Sequence, residues 1–500
     1  MGSNSFRLVV YGYEPGLYWQ HVDEIREAVR VGQGMGDEAV LQPEPMERAV
    51  RTAKVFGSFC RAAHIDEVTP VATSAIRSAR NGGELLARIE AESGLEARVL
   101  DESEEARYGY LAIANSTTIE SGFGIDIGGG SVQAMRLAGR RLEDSGSWQL
   151  GAVRVSEAFL SDDGPASSKQ LKALRKHVKS ELEPVEWLSG SGKGAPRAAG
   201  IGGTIRNLAS AAERRAELPE TDAQGFMLGR DALEDLIEEL AKLPPEKRGS
   251  VPGIKPDRGD VILGGAVVLG ALMDRVGADE LEATDAGLRE GVFFEHFLAP
   301  EDPPLFPDVR GSSVMNLAHR YQEDLAHPRH VARLSLEILD GLERAGLVEA
   351  GPGERELLWA AGMLHDIGTA VDYDDHHKHS RYLILNARLP GFTPRELHLI
   401  ALIARYHRKG EPDASELGKL ARKGDERRLA LLAGTIRLAE QLERSRDQSV
   451  ASVAVSAENG EVRIEPDAPA EADVAIWSAR RDSDLLARTL DRTVAIAPER

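Results

Sequence analysis

Phe123-Gly124-Ile125-Asp126-Ile127-Gly128-Gly129-Gly130-Ser131-Val132-Gln133-Ala134-Met135-Arg136-Leu137 is an apolar strand ending in a carboxylate, three consecutive glycines, and a second strand of alternating pattern. The glycines therefore close a hairpin. A P-loop would follow its glycines with Lys and Ser or Thr and open a helix, and a dinucleotide-binding loop also opens a helix, so neither fits. Lacking Cβ atoms, Gly128, Gly129 and Gly130 let backbone N–H groups approach phosphate oxygens, and Asp126 is placed to hold a divalent cation, usually through water. Taken alone, the stretch is equally a plain tight hairpin with a solvated aspartate. A second copy of the device favours phosphate: Gly2-Ser3-Asn4-Ser5 leads into a strand over residues 6–11. Two such turns suggest a duplicated fold facing across a cleft.

Outward from these turns, residues 6–13 read as a strand and residues 45–63 as a helix, with Met46, Ala49, Val50, Ala53, Val55 and Phe56 near helical period. A short apolar run at 68–73, a helix at 84–91 and a strand at 97–100 follow, the last leading into the acidic residues 101–105. This alternation predicts an α/β fold. A second α/β stretch opens at 123–127, passes the Gly-rich 200–203 and the apolar 261–272, and closes near Phe297. Ala299-Pro-Glu-Asp-Pro-Pro-Leu-Phe-Pro suits neither a helix nor a central strand and reads as a linker. Residues 314–448 are helical in pattern, and 453–455 with 462–464 predict a hairpin around Asn459-Gly460, followed by helix at 482–491. The predicted domains are 1–118 and 119–298, a linker at 299–310, a helical domain at 311–448 and a small α+β tail at 449–500.

The chain has 500 residues, 42% hydrophobic and 28% charged, which excludes a fibrous or mostly disordered protein. A net charge of −20 argues against sequence-independent coating of nucleic acid, so no nucleic-acid partner is expected. Any phosphate-rich ligand must be received by a local basic site. The lone Cys60 can form neither an internal disulfide nor a cysteine metal cage, which fits a reducing cytoplasm. Residues 261–273, closed by Asp260 and Asp274, are too short to span a bilayer and predict a buried core element, so no membrane partner is expected. The polar start Met1-Gly-Ser-Asn-Ser shows no export signal, and the expected location is cytoplasmic.

Six segments in order, Gly2-Ser-Asn-Ser-Phe-Arg-Leu, Ala72-Thr-Ser-Ala-Ile-Arg77-Ser-Ala-Arg-Asn81, Glu104-Glu105-Ala-Arg107, Asp126-Ile-Gly-Gly-Gly-Ser131, Gly202-Gly-Thr-Ile-Arg206 and Gly287-Leu-Arg-Glu-Gly291, resemble the exopolyphosphatase and guanosine pentaphosphate phosphatase (Ppx/GppA) family. That family is a branch of the superfamily of acetate and sugar kinases, heat-shock chaperone ATPases and actin. The resemblance runs over essentially the whole chain. It implies a duplicated actin- and sugar-kinase-like α/β domain pair, then an all-α HD-like domain and the small tail. It also makes Glu105 the general base that activates water; read without the family, Glu104 and Glu105 are a solvated helix start favoured by the helix dipole. Arg77 becomes a phosphate clamp, joined by Gly2, Ser3, Asn4, Ser5, Gly128, Gly129, Gly130, Ser131, Gly202, Gly203, Thr204 and Arg206, while Asp126 holds Mg2+ or Mn2+. Two departures stand out. The family places an Asp two residues before its first Gly-Ser-Asn, where this sequence begins at Met1, and Gln133 stands where the family usually has an acidic residue. The first implies either a misassigned or truncated start or impaired activity, and the second turns a helper for metal or water positioning neutral.

Nine of the 13 histidines lie between His319 and His407. His327-Pro-Arg-His330 followed by His365-Asp366 resembles the HD phosphohydrolase pattern, with Glu440 in place of the usual final Asp. His327, His365, Asp366 and Glu440 are then the candidate ligands of a second divalent metal; the opposite outcome is a metal-free packing platform. His377, Lys378, His379 and Arg381, with Arg405, Arg408, Lys409 and Arg437, form a candidate polyphosphate track, or equally a solvated basic face. The expectation is an Mg-dependent exopolyphosphatase acting on terminal phosphates of inorganic polyphosphate. Guanosine pentaphosphate (pppGpp) 5′-phosphohydrolase and a catalytically weakened polyphosphate or alarmone sensor are the alternatives. A kinase of the same superfamily would need an acceptor motif, which is missing. The resemblance further suggests a homodimer.

Overall fold

The computed structural model describes residues 1–36, 38–160, 163–189, 194–219, 223–469 and 472–497. Two compact units divide it, one of residues 1–16 and 20–306 and one of residues 17–19 and 307–500. The division at 306/307 falls inside the Pro-rich stretch.

The first unit opens with β1 (Phe6–Glu14) and β2 (Tyr18–Glu27), then α1 (Pro43–Ala62), β3 (Val71–Ala72), α2 (Ser74–Ser78), α3 (Gly82–Ser93), β4 (Arg98–Val99) and α4 (Glu102–Ala114). Helices α1 and α3 touch backbone to backbone, since a Cβ on Gly57 would lie 2.3 Å from the Ser93 carbonyl oxygen. The second half follows with β5 (Gly122–Ile127), β6 (Val132–Ala138), β7 (Arg141–Trp148), α5 (Ala152–Phe159), α6 (Ser168–Leu182), β8 (Ala198–Ile201), α7 (Gly203–Arg215), β9 (Met227–Gly229), α8 (Arg230–Ala241), α9 (Pro245–Arg248), α10 (Ile262–Val276), β10 (Glu280–Ala283) and α11 (Leu288–Phe297). Its sheet has the order β7-β6-β5-β8-β10-β9, an antiparallel meander continued by the parallel strands β8 and β10.

Strand periodicity explains why this sheet is covered on both faces. Phe123, Ile125 and Ile127 of β5 with Val132 and Ala134 of β6 join the core that includes α7 and α10. Met135, Leu137, Ala199 and Ile201 point the other way, into the core built on α4. Gly124 is bare because a Cβ there would come 2.6 Å from Ile113 Cδ1 of α4. The apolar run at 261–273 is α10, buried nearly all round, as its hydrophobicity without periodicity predicts.

The first half departs from the duplicated design. Among the described residues it carries two separate two-stranded sheets, β1-β2 and β3-β4, rather than a second six-stranded one. β3 and β4 are two residues each, and the backbone at the chain start is engaged elsewhere: Met1 exchanges hydrogen bonds with Val71 and Thr73 beside β3, while the carbonyls of Ser3 and Asn4 accept from Gly32 and Arg30. The α/β class stands; the repetition of one sheet does not.

The second unit contains α12 (Val309–Tyr321), α13 (Ala326–Arg344), α14 (Pro352–Leu364), α15 (His376–Leu385), α16 (Pro394–Tyr406), α17 (Asp425–Leu442), β11 (Ser452–Glu458), β12 (Glu461–Asp467), α18 (Asp473–Arg481), α19 (Asp484–Leu490) and β13 (Thr493–Ile496). Asn459 and Gly460, both at positive φ (49° and 85°), make the two-residue turn between β11 and β12. The described residues from 449 onward do not form a core of their own: Val453, Val462, Ile464, Leu485, Leu486 and Ile496 join the same cluster as the helices. Among the described residues no helix is long and apolar enough to cross a membrane.

Candidate active site

Because β5 and β8 are parallel neighbours, with Asp126 paired to Ile201, both strands deliver their turns to the same end of the sheet. Asp126 and Gly202 meet there. Gly202 has φ +94°, and a Cβ on it would sit 2.6 Å from Asp126 Oδ1, so this position accepts only glycine. The two glycine turns face one another: a Cβ on Gly130 would lie 2.6 Å from Ser74 Oγ and 3.1 Å from Ser3 Oγ, and one on Gly129 3.5 Å from Asn4 Cβ. Between them opens a cavity of about 850 Å³ lined by Gly2, Ser3, Asn4, Ser5, Glu105, Asp126, Gly128, Gly129, Gly130, Ser131, Gly202 and Gly203, all of them expected from sequence.

Glu105 reaches the cavity through the start of α4. Asp101 caps that helix, its Oδ1 accepting from Glu104 N at 2.8 Å while Glu104 Oε2 accepts from Asp101 N at 2.9 Å. The capping box consumes Glu104 and turns the next carboxylate inward, where Glu105 is only 7% exposed. Burial pushes the Glu105 carboxyl above its ordinary range, opposed by Arg77. Arg77 Nη1 donates to Glu105 Oε2 at 2.7 Å and to the Leu100 carbonyl at 2.8 Å. Arg77, expected as a phosphate clamp, is not on the cavity wall but holds Glu105, with Nη2 left as a buried donor lacking a hydrogen-bond partner.

Asp126 is pushed up to about 7 by burial and by the charge of Glu105, with Arg206 opposing. Among the described residues it has no ion pair and no side-chain hydrogen bond, so its charge lacks a direct counterpart. A half-buried carboxylate in that condition, beside glycine turns suited to receiving phosphate oxygens, fits Mg2+ or Mn2+. Gln133 pairs with Asp126 across the hairpin, so both side chains share one face, but its Nε2 donates to Ser131 Oγ at 2.9 Å and is spent on holding the turn. Thr204 and Arg206 do not line the cavity, contrary to expectation. Thr204 packs beneath α10 at Gly265, and Arg206 Nη1 donates at 2.9 Å to both the carbonyl and Oδ1 of Asp285.

Three cations on the wall were not foreseen: Arg7, Arg258 and Arg289. Glu24 serves two of them, at 3.0 Å from Arg7 and 3.3 Å from Arg289, and Glu290 lies 3.8 Å from Arg289 as well. Burial and the neighbouring Arg289 press Arg7 down to about 9, the mark of uncompensated positive charge. Arg258, 9% exposed, lies against bare backbone, for a Cβ on Gly203 would meet its Nη2 at 2.6 Å. Arg7 and Arg289 fall inside the segments 2–8 and 287–291 that carry the family resemblance; Arg258 ends a single 3-10 turn, Pro256–Arg258, without any such signal.

In the helical unit, α13, α14 and α17 bring His327, His365, Asp366 and Glu440 together as the sequence predicts. His327 Nε2 is 3.1 Å and His365 Nε2 3.2 Å from Glu440 Oε2. His376 and His407, whose part sequence reading missed, complete the cluster from α15 and the end of α16, at 3.2 and 3.8 Å from Asp366 Oδ1. The signal was there in the histidine density, but nothing in it says which of nine histidines converge. Asp366 is held far below the carboxylate range, against its burial, by His365, His376, His407 and Arg446.

The expected polyphosphate track does not assemble. His377 is fully buried, and Arg437 is 8% exposed with its guanidinium donating to the carbonyls of Tyr406 and Gly410. Lys378 and Lys409 share Asp375, at 2.6 and 3.2 Å, and Arg381 pairs with Glu416 at 3.1 Å. Arg405 lies over the Tyr406 ring and Arg408 over Tyr373, leaving half-buried His379 without a run of neighbouring free cations. Local ion pairs and aromatic faces took up the charge that sequence alone presents as a stripe.

Two glycine turns on one cavity, a buried carboxylate held by arginine and a second carboxylate without a charged partner are the parts that an enzyme acting on phosphoanhydrides needs. Comparison with known proteins agrees. The model of the Ppx/GppA phosphatase family matches residues 9–299, and that of Ppx/GppA phosphatase, domain III, matches residues 309–475. The chain belongs to the Ppx/GppA phosphatase family, whose members hydrolyse phosphoanhydrides. A solved Ppx/GppA family member from Aquifex aeolicus is 27% identical, with 59% of this chain and 94% of that one covered at a TM-score of 0.50. An exopolyphosphatase from Cytophaga hutchinsonii is 22% identical over 59% of this chain and 96% of its own, at a TM-score of 0.54, and is similar in fold.

Proposed function

We propose that the protein removes the terminal phosphate from inorganic polyphosphate. The observation that carries this reading is the cavity wall, where two glycine turns, Glu105 and Asp126 are accompanied by Arg7, Arg258 and Arg289. One terminal phosphate needs the turns; further phosphates need further cations, and the arginines supply them inside a molecule of net charge −20. Glu105 takes a proton from a water molecule. The water oxygen attacks the terminal phosphorus, the phosphoanhydride P–O bond breaks, and its electron pair leaves on the shortened chain. Arg77 keeps Glu105 oriented and ionised, and amides of residues 128–130 receive charge on the phosphoryl oxygens. Asp126 would hold Mg2+ or Mn2+, which supplies neutralisation of phosphate charge when bound.

One feature favours pppGpp as a second substrate. The same cavity has an apolar wall of Phe56, Ile65, Val68, Leu95, Val292 and Phe293, which a nucleoside needs and polyphosphate does not. Phosphate release from long-chain polyphosphate and from pppGpp, with Mg2+ present and chelated, tests both. Release from polyphosphate that Glu105→Ala abolishes supports hydrolysis in this cleft; faster release from pppGpp moves the assignment to the nucleotide; tight binding without release makes the protein a sensor.

A further inference from the structure

Six side chains from five helices and their ends converge in the interior of the helical unit, and hydrogen bonds fix which way three of the four imidazoles face. His365 Nδ1 and His407 Nδ1 lie 2.7 Å from the carbonyls of Gly362 and Ala404, and His376 Nδ1 lies 2.9 Å from that of Tyr373. A carbonyl only accepts, so each Nδ1 carries the proton, at His376 because the carbonyl is nearer than the Arg408 Nη1 donor at 3.3 Å, and each Nε2 turns a lone pair inward. Those lone pairs meet other acceptors. His376 Nε2 is 3.1 Å from His407 Nε2, and His365 Nε2 is 3.2 Å from Glu440 Oε2. His327, 7% exposed, directs Nε2 at the same carboxylates, 3.1 Å from Glu440 and 3.7 Å from Asp366, with neither ring nitrogen in a hydrogen bond. Acceptors packed against acceptors in a dry interior need positive charge between them, supplied either by extra protons on the imidazoles or by metal cations.

We propose that this cluster is a two-metal centre bridged by Asp366. His327, His365 and Glu440 complete the set around one cation, and His376 and His407 the set around the other. Spacing supports it. A cation about 2.1 Å from each donor holds those donors about 3.0 to 3.4 Å apart along the edges of an octahedron or tetrahedron. The observed separations of 3.1 to 3.8 Å overlap that range in both sets, which share Asp366, and a contraction of a few tenths of an ångström closes the longest of them. The backbone carbonyls on the Nδ1 atoms are the outer partners that metal-bound histidines ordinarily have. Four imidazoles with two carboxylates suit Mn, Fe, Co or Zn rather than Mg or Ca, which prefer all-oxygen sites. Arg446 also rests on Asp366 Oδ2, but its side chain is 53% exposed and is able to swing to solvent.

Manganese alone is the probe. The full chain carrying Asp126→Asn, so that the cleft carboxylate contributes nothing, is stripped with chelator, reloaded with Mn2+ and analysed for metal content and by low-temperature electron paramagnetic resonance. The expected result is two equivalents per chain and an exchange-coupled spectrum; His407→Ala should retain one equivalent and give an isolated six-line signal, and Asp366→Asn should lose the coupling. Circular dichroism confirms that each variant is folded, and His376→Gln is the milder alternative should His407→Ala not fold. Less than one tightly held equivalent, or a count unchanged by folded His407→Ala or His376→Gln, overturns the proposal and leaves a cluster held by protons. Phosphate release from the cleft plays no part in this readout, so failure of the one reading is separable from failure of the other.

Discussion

Glu104 and Glu105 stand side by side in sequence and end in different environments: one closes a helix cap, the other is buried against Arg77. Glu105→Gln preserves the shape and removes the proton acceptor, so kcat for phosphate release should fall by roughly 10²- to 10⁴-fold with little change in melting temperature. A smaller loss would show that some other group deprotonates water. Arg77 offers a sharper distinction. If it positions the base, Arg77→Met leaves Glu105 buried without its cation, raises the Glu105 pKa further and moves the acidic limb of the kcat profile to higher pH by a unit or more. Should only KM rise, the arginine is a phosphate clamp after all. Asp126 makes a prediction for stability. Its carboxyl is raised from 3.8 to about 7, so the folded state binds the proton more tightly than the unfolded one. The stabilisation from this group is complete below pH 3.8 and is lost as pH rises through 7, each unit of the raise being worth about 1.4 kcal/mol. In metal-free protein Asp126→Asn should flatten that decline in denaturant titrations between pH 4 and 7, while bound Mg2+ should reverse it by favouring the ionised form.

At the scale of elements, local chemistry was legible in sequence and long-range meeting was not. The β5–glycine–β6 hairpin, the Asn459-Gly460 turn and the buried α10 follow from residue patterns a few positions long. Tiny strands such as β3 leave no periodicity to read, and Arg258 meets Gly203 across more than fifty residues of chain. The histidine cluster shows the same limit: density along the sequence flagged the region, yet only the packing of α13 to α17 selects His376 and His407 over His379 or His398. Gly202 joins the two levels, since sequence marks it as a glycine turn and the structure gives the reason in Asp126 Oδ1 at 2.6 Å from any added Cβ. Gly202→Ala should cost about 1 to 2 kcal/mol from its left-handed backbone and lower phosphate release by far more than that instability explains. Activity restored to within a few-fold at low temperature, where the variant is folded, would mean that the contact with Asp126 is incidental.

For the whole molecule, the decisive feature is that the two units have separate hydrophobic cores, one set spread over the α/β half and one continuous core serving both the helices and the terminal sheet. Each core can melt in its own transition, and each unit has its own candidate ligand. A ligand stabilises only the unit that binds it, by about 2.7 kcal/mol at a concentration one hundred times its Kd. For domains of this size that corresponds to roughly 5 to 10 °C in melting temperature. Calorimetry of the full chain should therefore resolve two transitions: Mn2+ at low concentration raises the one that Asp366→Asn abolishes from the response, and Mg2+ with a non-hydrolysable polyphosphate analogue raises the one that depends on Asp126. A single transition moved equally by both ligands would show that the units unfold together, and the assignment of each ligand would then rest on the variants alone. Separate responses would mean that one chain joins two independent phosphate and metal chemistries.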